Sequence, residues 1–412
     1  MTSIRNYALV TAAYWAFTLT DGALRMLVIL HFHQLGYTAL QIAFLFLFYE
    51  FFGIVTNLVG GWLGSKTGLK VTLFGGLAIQ IFALAMLAFV NPAWPIVLSV
   101  SYVMVAQALS GIAKDLTKMS SKSAIKLVVP DGKESLLFKW VAILTGSKNA
   151  LKGIGFFLGG VLLAWLGFEN ALFAMAGGLA LVLAVAITLL PGDMGKSKAK
   201  VKFKGIFSMS REINILSMAR FFLFGARDVW FVVGLPVFLA DTLKWNYETV
   251  GTYLALWVIG YGIIQSLAPR LVRRSRHQAP HGYTAQFWTF ALAVITGLIA
   301  LGLQFQKDPS LIIIVGLAVF GIVFAINSAV HSYLILAYSD GDKVALNVGF
   351  YYMANAGGRL LGTVFSGLMF QWSGLIGCLW ASVAFAVAAG IASLLLPRAT
   401  SSQSASEPTG AV

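Results

Sequence analysis

The sequence predicts an all-α integral membrane protein: twelve transmembrane helices arranged as two six-helix halves related by an internal duplication. Three observations carry that prediction. The 412 residues are 59% hydrophobic and only 11% charged, with a mean hydropathy of +0.84, whereas soluble domains carry about 25% charged residues. Apolar stretches recur along the whole chain, each long enough to cross about 30 Å of hydrocarbon. A motif also repeats: Lys152, Gly155, Gly160, Trp165 and Gly167 return 207 residues later as Arg359, Gly362, Gly367, Trp372 and Gly374. The same offset carries Phe17-x-x-x-Asp21 onto Phe224-x-x-x-Asp228. A duplicated, strongly apolar chain points to a two-halved membrane transporter.

Taken in order, the predicted spans are 7–33, 38–63, 71–90, 95–119, 136–166, 169–190, 213–239, 247–268, 284–305, 310–338, 344–370 and 375–396. The first is too long for a signal peptide and contains Asp21 and Arg25, so it is expected to be retained. The second opens Leu35-Gly-Tyr-Thr38-Ala-Leu-Gln41, a capping-box start with Thr38 as N-cap. Its counterpart is Leu243-Lys-Trp-Asn246-Tyr-Glu-Thr249, at an offset of 208. Residues 191–212 are polar and lysine-rich, and read as a cytoplasmic linker between halves at 1–190 and 213–398. The tail, 399–412, is rich in Ser, Thr, Gly and Pro and is expected to be disordered.

Orientation follows from the basic residues. Connections after even-numbered spans hold Lys66 and Lys70, a cluster from Lys114 to Lys139, Lys196 to Arg211, and Arg270 to Arg276, with Lys343 after the tenth. The odd-numbered connections hold only Lys244 and Lys307. The positive-inside rule then places both termini in the cytoplasm and the chain in the inner (plasma) membrane. The net charge of +14 is accounted for by those loops, so no nucleic-acid partner is expected.

Ionisable groups inside a membrane are costly and mark functional positions or buried partners. At about 1.5 Å per residue, Asp21, Arg227, Asp228 and Arg359 lie at a similar depth in their spans, with Arg25, Lys148 and Lys152 within about a turn. Cations outnumber acids there, which suits an anionic substrate: arginine offers a planar fork to oxyanions, lysine a mobile point charge. The candidate substrate-binding set is Arg25, Lys148, Lys152, Arg227, Arg359, Asn355 and Tyr351. The candidate coupling or gating set is Asp21, Glu50 and Asp228.

Each candidate has a structural alternative. Asp21 and Arg25 are spaced i,i+4 and could simply pair with each other. Adjacent Arg227 and Asp228 cannot share a helix face, so one of them needs a partner elsewhere. Lys148 and Lys152 could snorkel towards the cytoplasm. Glu50 is either a proton carrier, a partner for a basic residue of the eleventh span, or a neutral hydrogen-bonded carboxyl. Arg220 reads as an interface anchor, and Lys114, Asp115, Lys118 and Lys122 as a solvated cytoplasmic end. Asn57, Gln265, Asn327 and Asn355 suit polar contacts between helices, and Gly60/Gly64, Gly155/Gly159 and Gly358/Gly362 suit close helix packing. His31 and His33 point to opposite faces, so no metal site is expected. Cys378 is the only cysteine, which rules out an intrachain disulfide or a three-thiolate site. No phosphate-binding loop is present, so neither ATP nor another cofactor is expected. No nucleophile–base pair suggests an enzyme.

The twelve-span, duplicated organisation resembles the major facilitator superfamily. After the second span that family places Gly-x-Leu-x-Asp-x-x-Gly-Arg-Lys/Arg; here Gly61-Trp-Leu-Gly-Ser65-Lys-Thr-Gly-Leu-Lys70 has serine in place of the aspartate. The fourth span has Gln107-Ala-Leu-Ser-Gly111 where the family often has Arg-x-x-Gln-Gly. A closer resemblance is to the organoarsenical efflux permease family, ArsJ. It rests on Leu19-Thr-Asp-Gly-Ala-Leu-Arg-Met26, Ser110-Gly-Ile-Ala-Lys-Asp-Leu-Thr-Lys-Met119, Thr145-Gly-Ser-Lys-Asn-Ala-Leu-Lys-Gly153 and Phe224-Gly-Ala-Arg-Asp-Val-Trp-Phe231. The resemblance implies secondary active export of 1-arseno-3-phosphoglycerate, made when glyceraldehyde-3-phosphate dehydrogenase uses arsenate instead of phosphate. Transporter and dehydrogenase together would confer arsenate resistance, with proton coupling expected. An antiporter for another organic anion, such as a sugar phosphate or a drug, stays open as the alternative.

Overall fold

The computed structural model describes residues 2–37, 44–126, 128–130, 132–191, 210–245, 247–272, 280–305, 308–339 and 343–397. Among these residues there are helices and no strands. The helices are α1 (Thr2–Gln34), α2 (Leu47–Thr67), α3 (Leu69–Ala88), α4 (Ile96–Lys126), α5 (Glu134–Leu189) and α6 (Arg211–Phe231). They continue with α7 (Gly234–Val237), which leads into a π-turn at Phe238–Thr242, then α8 (Tyr247–Val272), α9 (Gly282–Phe305), α10 (Pro309–Ala337) and α11 (Val344–Ser393). The Thr38 cap, its Asn246 counterpart, most of the linker and the tail lie outside the described residues.

Among the described residues, eight helices are long and apolar enough to cross a membrane. Two of these, α5 and α11, run for 56 and 50 residues, about twice what one crossing needs. Each is broken once, at Gly167 (φ 74°) and at Ser373–Gly374 (Gly374 φ 62°). With α2 and α6, which reach spanning length at 21 residues each but carry charge, the architecture is consistent with twelve crossings.

The two breaks stand at equivalent positions of the duplication. Each glycine is in the left-handed region that L side chains avoid, and nothing lies within 4 Å of where its Cβ would sit. Backbone conformation, not space, demands glycine there. Trp165 and Trp372, two residues before each break, are 83% and 70% exposed, as suits aromatic anchors at a membrane–water boundary. The pattern repeats at Gly36 (φ 82°) and Lys244 (φ 59°), the latter being the non-glycine residue with positive φ among the described residues.

Helix starts follow local chemistry. Ser210 accepts a hydrogen bond from Ile213 N at α6, and Asp308 accepts one from Leu311 N at α10, with Pro309 in the first turn. Both leave fewer orphaned N–H groups at the helix end. One difference from the sequence reading is at α4, which continues to Lys126 rather than stopping near residue 119.

The chain divides into two compact units. The first comprises Met1–Val128, Ser147–Phe207 and Gly341–Met353; the second, Val129–Gly146, Ser208–Asp340 and Ala354–Val412. The divisions inside α5 and α11 fall after residues 146 and 353, again 207 apart. In the first unit α1 packs directly on the backbone of α5: a Cβ at Gly155 would lie 2.5 Å from Leu19 O. In the second, α6 meets α11 the same way, with Gly362 facing Gly225 O at 2.8 Å. The predicted glycine spacings are therefore packing surfaces in both units. The second unit's core is aromatic, with Trp230 edge-on to Phe320 and Phe320 stacked on Phe324. Cys378 is buried in that core.

Candidate functional site

In the first unit the site begins with Asp21, buried on α1. Gly22 beside it allows the α5 backbone to approach, since a Cβ there would sit 2.6 Å from Lys152 O. That closeness puts Lys152 Nζ 3.2 Å from Asp21 Oδ2. The Tyr49 hydroxyl on α2 donates to Asp21 Oδ1 at 2.6 Å. One turn along α1, Arg25 Nη2 donates to Glu50 Oε1 at 3.4 Å, and its guanidinium lies over the Phe46 and Tyr49 rings at 5.0 and 5.1 Å. Lys114 of α4 stands 4.0 Å from Glu50 Oε2 and 3.8 Å from the centre of the Tyr49 ring. Tyr49 is thus the hub: its hydroxyl holds the acid and its ring holds two cations.

Asp115 extends this cluster. It is buried, takes Lys118 on Oδ1 and lies 4.0 Å from Lys114 through Oδ2. The predicted solvated end from Lys114 to Lys122 is therefore corrected: this stretch lies in the interior of the first unit, with Lys122 only 2% exposed. Helix α4 is longer than read, and Tyr352 covers the Lys118 and Lys122 ammoniums at 4.2 and 5.1 Å. Tyr351 is buried beside Tyr352, ring centroids 5.0 Å apart. Lys148 is half-buried one turn before Lys152.

In the second unit the geometry is repeated with different chemistry. Asp228 of α6 is buried, and Arg359 Nε of α11 reaches Asp228 Oδ2 at 3.2 Å. Arg227 folds back so that its Nε donates to Asp228 Oδ1 at 2.6 Å. Sequence reasoning denied these neighbours a common face; a flexible arginine stem closes the gap, while Asp228 also finds the more distant partner. Two guanidiniums lie over the Phe224 ring, Arg220 at 3.9 Å and Arg227 at 4.8 Å.

Arg220 was legible only as an interface anchor, yet it is 2% exposed. Its Nε donates to Asn355 Oδ1 at 2.9 Å, and Nη1 to Ser328 O and Oγ at 3.3 and 3.2 Å. Its place on the i−7 side of Arg227 was the available signal. Of the other buried amides, Asn327 ties two helices together, its Nδ2 donating to Thr289 Oγ1 at 2.8 Å, whereas Asn57 Nδ2 donates to Gly53 O within its own helix.

The Asp21–Arg25 alternative is not what forms: the acid pairs with Lys152, the arginine with Glu50. Among the described residues no group of three or more His, Cys, Asp or Glu is arranged to hold a metal ion. His31 instead stacks on Phe168, centroids 3.9 Å apart, and the His33 side chain lies outside the described residues. Each unit therefore holds one buried carboxylate on its first helix, bridged to a cation on the long kinked helix 131 residues later.

The sequence model of the Major Facilitator Superfamily matches residues 10–327. No curated protein matches the chain. Similar solved structures include a bacterial homologue of the iron transporter ferroportin in an outward-facing state, at 13% identity and TM-score 0.76, covering 94% of this chain and 98% of that one. The proton:xylose symporter XylE is 12% identical over 94% and 95% of the two chains, TM-score 0.71. The E. coli fucose:proton symporter FucP is 10% identical over 96% and 99%, TM-score 0.71. At these identities the likeness is one of fold.

Proposed function

The chain belongs to the Major Facilitator Superfamily, a family of membrane transporters rather than enzymes, and we propose that it is a secondary active exporter of a phosphorylated organoarsenical anion. The substrate suggested by the sequence resemblance is 1-arseno-3-phosphoglycerate, a compound with an oxyanion at each end. The observation that carries the reading is the charge imbalance around the second unit's acid. Arg227 and Arg359 both pair with one buried carboxylate, Asp228, and Arg220 lies over the Phe224 ring that the Arg227 guanidinium also meets. Guanidinium forks engage phosphate-like groups in pairs of hydrogen bonds. In the first unit Lys152 and Lys114 supply mobile point charges beside Asp21 and Glu50.

On this reading Arg25, Lys148, Lys152, Arg227, Arg359, Asn355 and Tyr351 serve the substrate, Asn355 by holding Arg220. Asp21, Glu50 and Asp228 release their cations when protonated, which provides the coupling to protons. Export from the cytoplasm across the inner membrane, with both termini cytoplasmic, would remove the arsenical made by glyceraldehyde-3-phosphate dehydrogenase. The test is arsenate and arsenite tolerance of an arsenic-sensitive host. Arsenate resistance is expected only when the chain and an arsenate-using dehydrogenase are expressed together, with no protection against arsenite. Resistance to arsenite alone sinks the substrate assignment.

A further inference from the structure

Helix α10 carries no Asp, Glu, Lys or Arg from Pro309 to Ala337, and one histidine, His331. The ring is 0% exposed. Neither Nδ1 nor Nε2 has a hydrogen-bond partner among the described residues. A neutral imidazole holds one N–H donor and one acceptor nitrogen. Leaving a buried polar group unmet is costly, whereas an apolar side chain of the same shape would pack there without that penalty. His331 is therefore a poor packing element in a place where packing would suffice.

The polar groups near it are arranged about Arg220. Ser328 and Asn327 stand three and four residues before His331, on the same face of α10. Ser328 accepts from Arg220 Nη1 through its carbonyl and its hydroxyl. Asn327 donates to Thr289 of α9, and its Oδ1 has no partner among the described residues. The charged group whose field reaches the ring is Arg220 of α6. Helix α8 brings Tyr261 against Ser328, and α11 brings Asn355, which accepts from Arg220 Nε. Helix α9 has no charged residue from Gly282 to Phe305. The first turn of α5 brings Glu134, but it accepts from Tyr333 at 2.9 Å, and an i,i+2 spacing turns Tyr333 to another side of α10.

We propose that His331 binds a proton together with the substrate anion, each stabilising the other beside Arg220. The inference rests on the proposed anionic substrate and adds a proton site to it. The lone pair of the unprotonated ring nitrogen takes a proton from solvent and gives it back when the anion leaves. An imidazolium next to Arg220 sets two positive charges side by side, which repel. An oxyanion drawn to Arg220 relieves that repulsion and gains a charge-assisted donor. By linkage, proton and anion then tighten each other's binding by the same factor. Imidazole suits the task, since its ordinary titration falls between pH 5 and 8.

The test uses inside-out vesicles bearing the full-length protein, at equal pH on both sides. They are supplied with the arsenate-using dehydrogenase, NAD, arsenate and graded glyceraldehyde-3-phosphate, and accumulated arsenic gives the rate. The half-saturating concentration is compared at pH 8 and pH 6 in wild type and in His331→Gln, whose amide keeps a donor and an acceptor but does not titrate. The wild-type ratio between the two pH values is expected to exceed the variant's at least about fivefold, the lower end of ordinary couplings. At pH 8 the two proteins should agree within about twofold. The same ratio in both proteins overturns the proton site. So does an equal loss of affinity at both pH values, which would make the ring a fixed ligand or a packing element. If His331→Gln fails to accumulate in the membrane, His331→Asn decides on the same ratio. Absence of wild-type flux overturns the substrate reading and the proton site together, whereas wild-type flux with an unaltered ratio in the variant overturns the proton site alone.

Discussion

The two units solve one problem with two inventories. Each places a buried aspartate on its first helix and a cation 131 residues on, at 3.2 Å, across a glycine-lined helix contact. The first unit then fills the surroundings with lysines, a tyrosine hub and a second acid at Glu50. The second fills them with arginines and a phenylalanine that meets two guanidiniums. Duplication preserved the backbone approach and the acid; the cation chemistry diverged. On the proposed function, one half holds an oxyanion by fixed forks while the other lets charge move.

The largest effect should come from removing the acids. Asp228→Asn leaves two arginines without their shared carboxylate, and breaking a buried pair costs about 3–5 kcal/mol. Membrane abundance and vesicle flux should both collapse. Asp21→Asn should retain more protein, because Tyr49 still has an acceptor in the asparagine oxygen. If Asp21→Asn is the more damaging for abundance, the second unit is not the more strongly coupled half.

Exchanging cations sharpens the comparison. Arg359→Lys is expected to lower flux at least tenfold, about 1.4 kcal/mol, since the fork is lost. Lys152→Arg should cost less. Were both cations only neutralising their acids, the exchange of Asp21 with Lys152 would restore flux to either single variant.

The helix breaks offer a milder test of equivalence. Gly167→Ala and Gly374→Ala force an L residue to positive φ with extended ψ, with no contact from neighbouring atoms, at about 1–3 kcal/mol each. Thermal unfolding in detergent should show two similar losses, and a clear inequality would mean the breaks are held differently. The smallest effect is expected at the other matched pair. Lys244→Gly relieves a left-handed residue, stabilising by about 1 kcal/mol or less once glycine's added chain entropy is counted.

Much of this architecture was legible from residues. Apolar length marked the spans, and the gaps left between them, 167–168 and 371–374, hold the breaks in α5 and α11. The Asp–cation pairs were legible as matched positions, though not as contacts, because pairing depends on Gly22 and Gly362 letting backbones touch. The burial of Lys118 and Lys122 was illegible: a lysine-rich helix end normally faces water, and the ring that covers them, Tyr352, arrives from 230 residues away. Arg220 was missed for the same reason, since Ser328 and Asn355 are 108 and 135 residues distant.

Cys378, the only cysteine of the chain, is enclosed in the second unit's core with its Sγ 3.5 Å from Ser366 O. A probe that reacts with thiols therefore finds no accessible target on the folded protein. The natural sequence is already a blank background for spin labels or fluorophores. Single cysteines introduced at positions 207 apart would give matched reporters, one per half, whose spectra under a proton gradient could be compared without first engineering the chain.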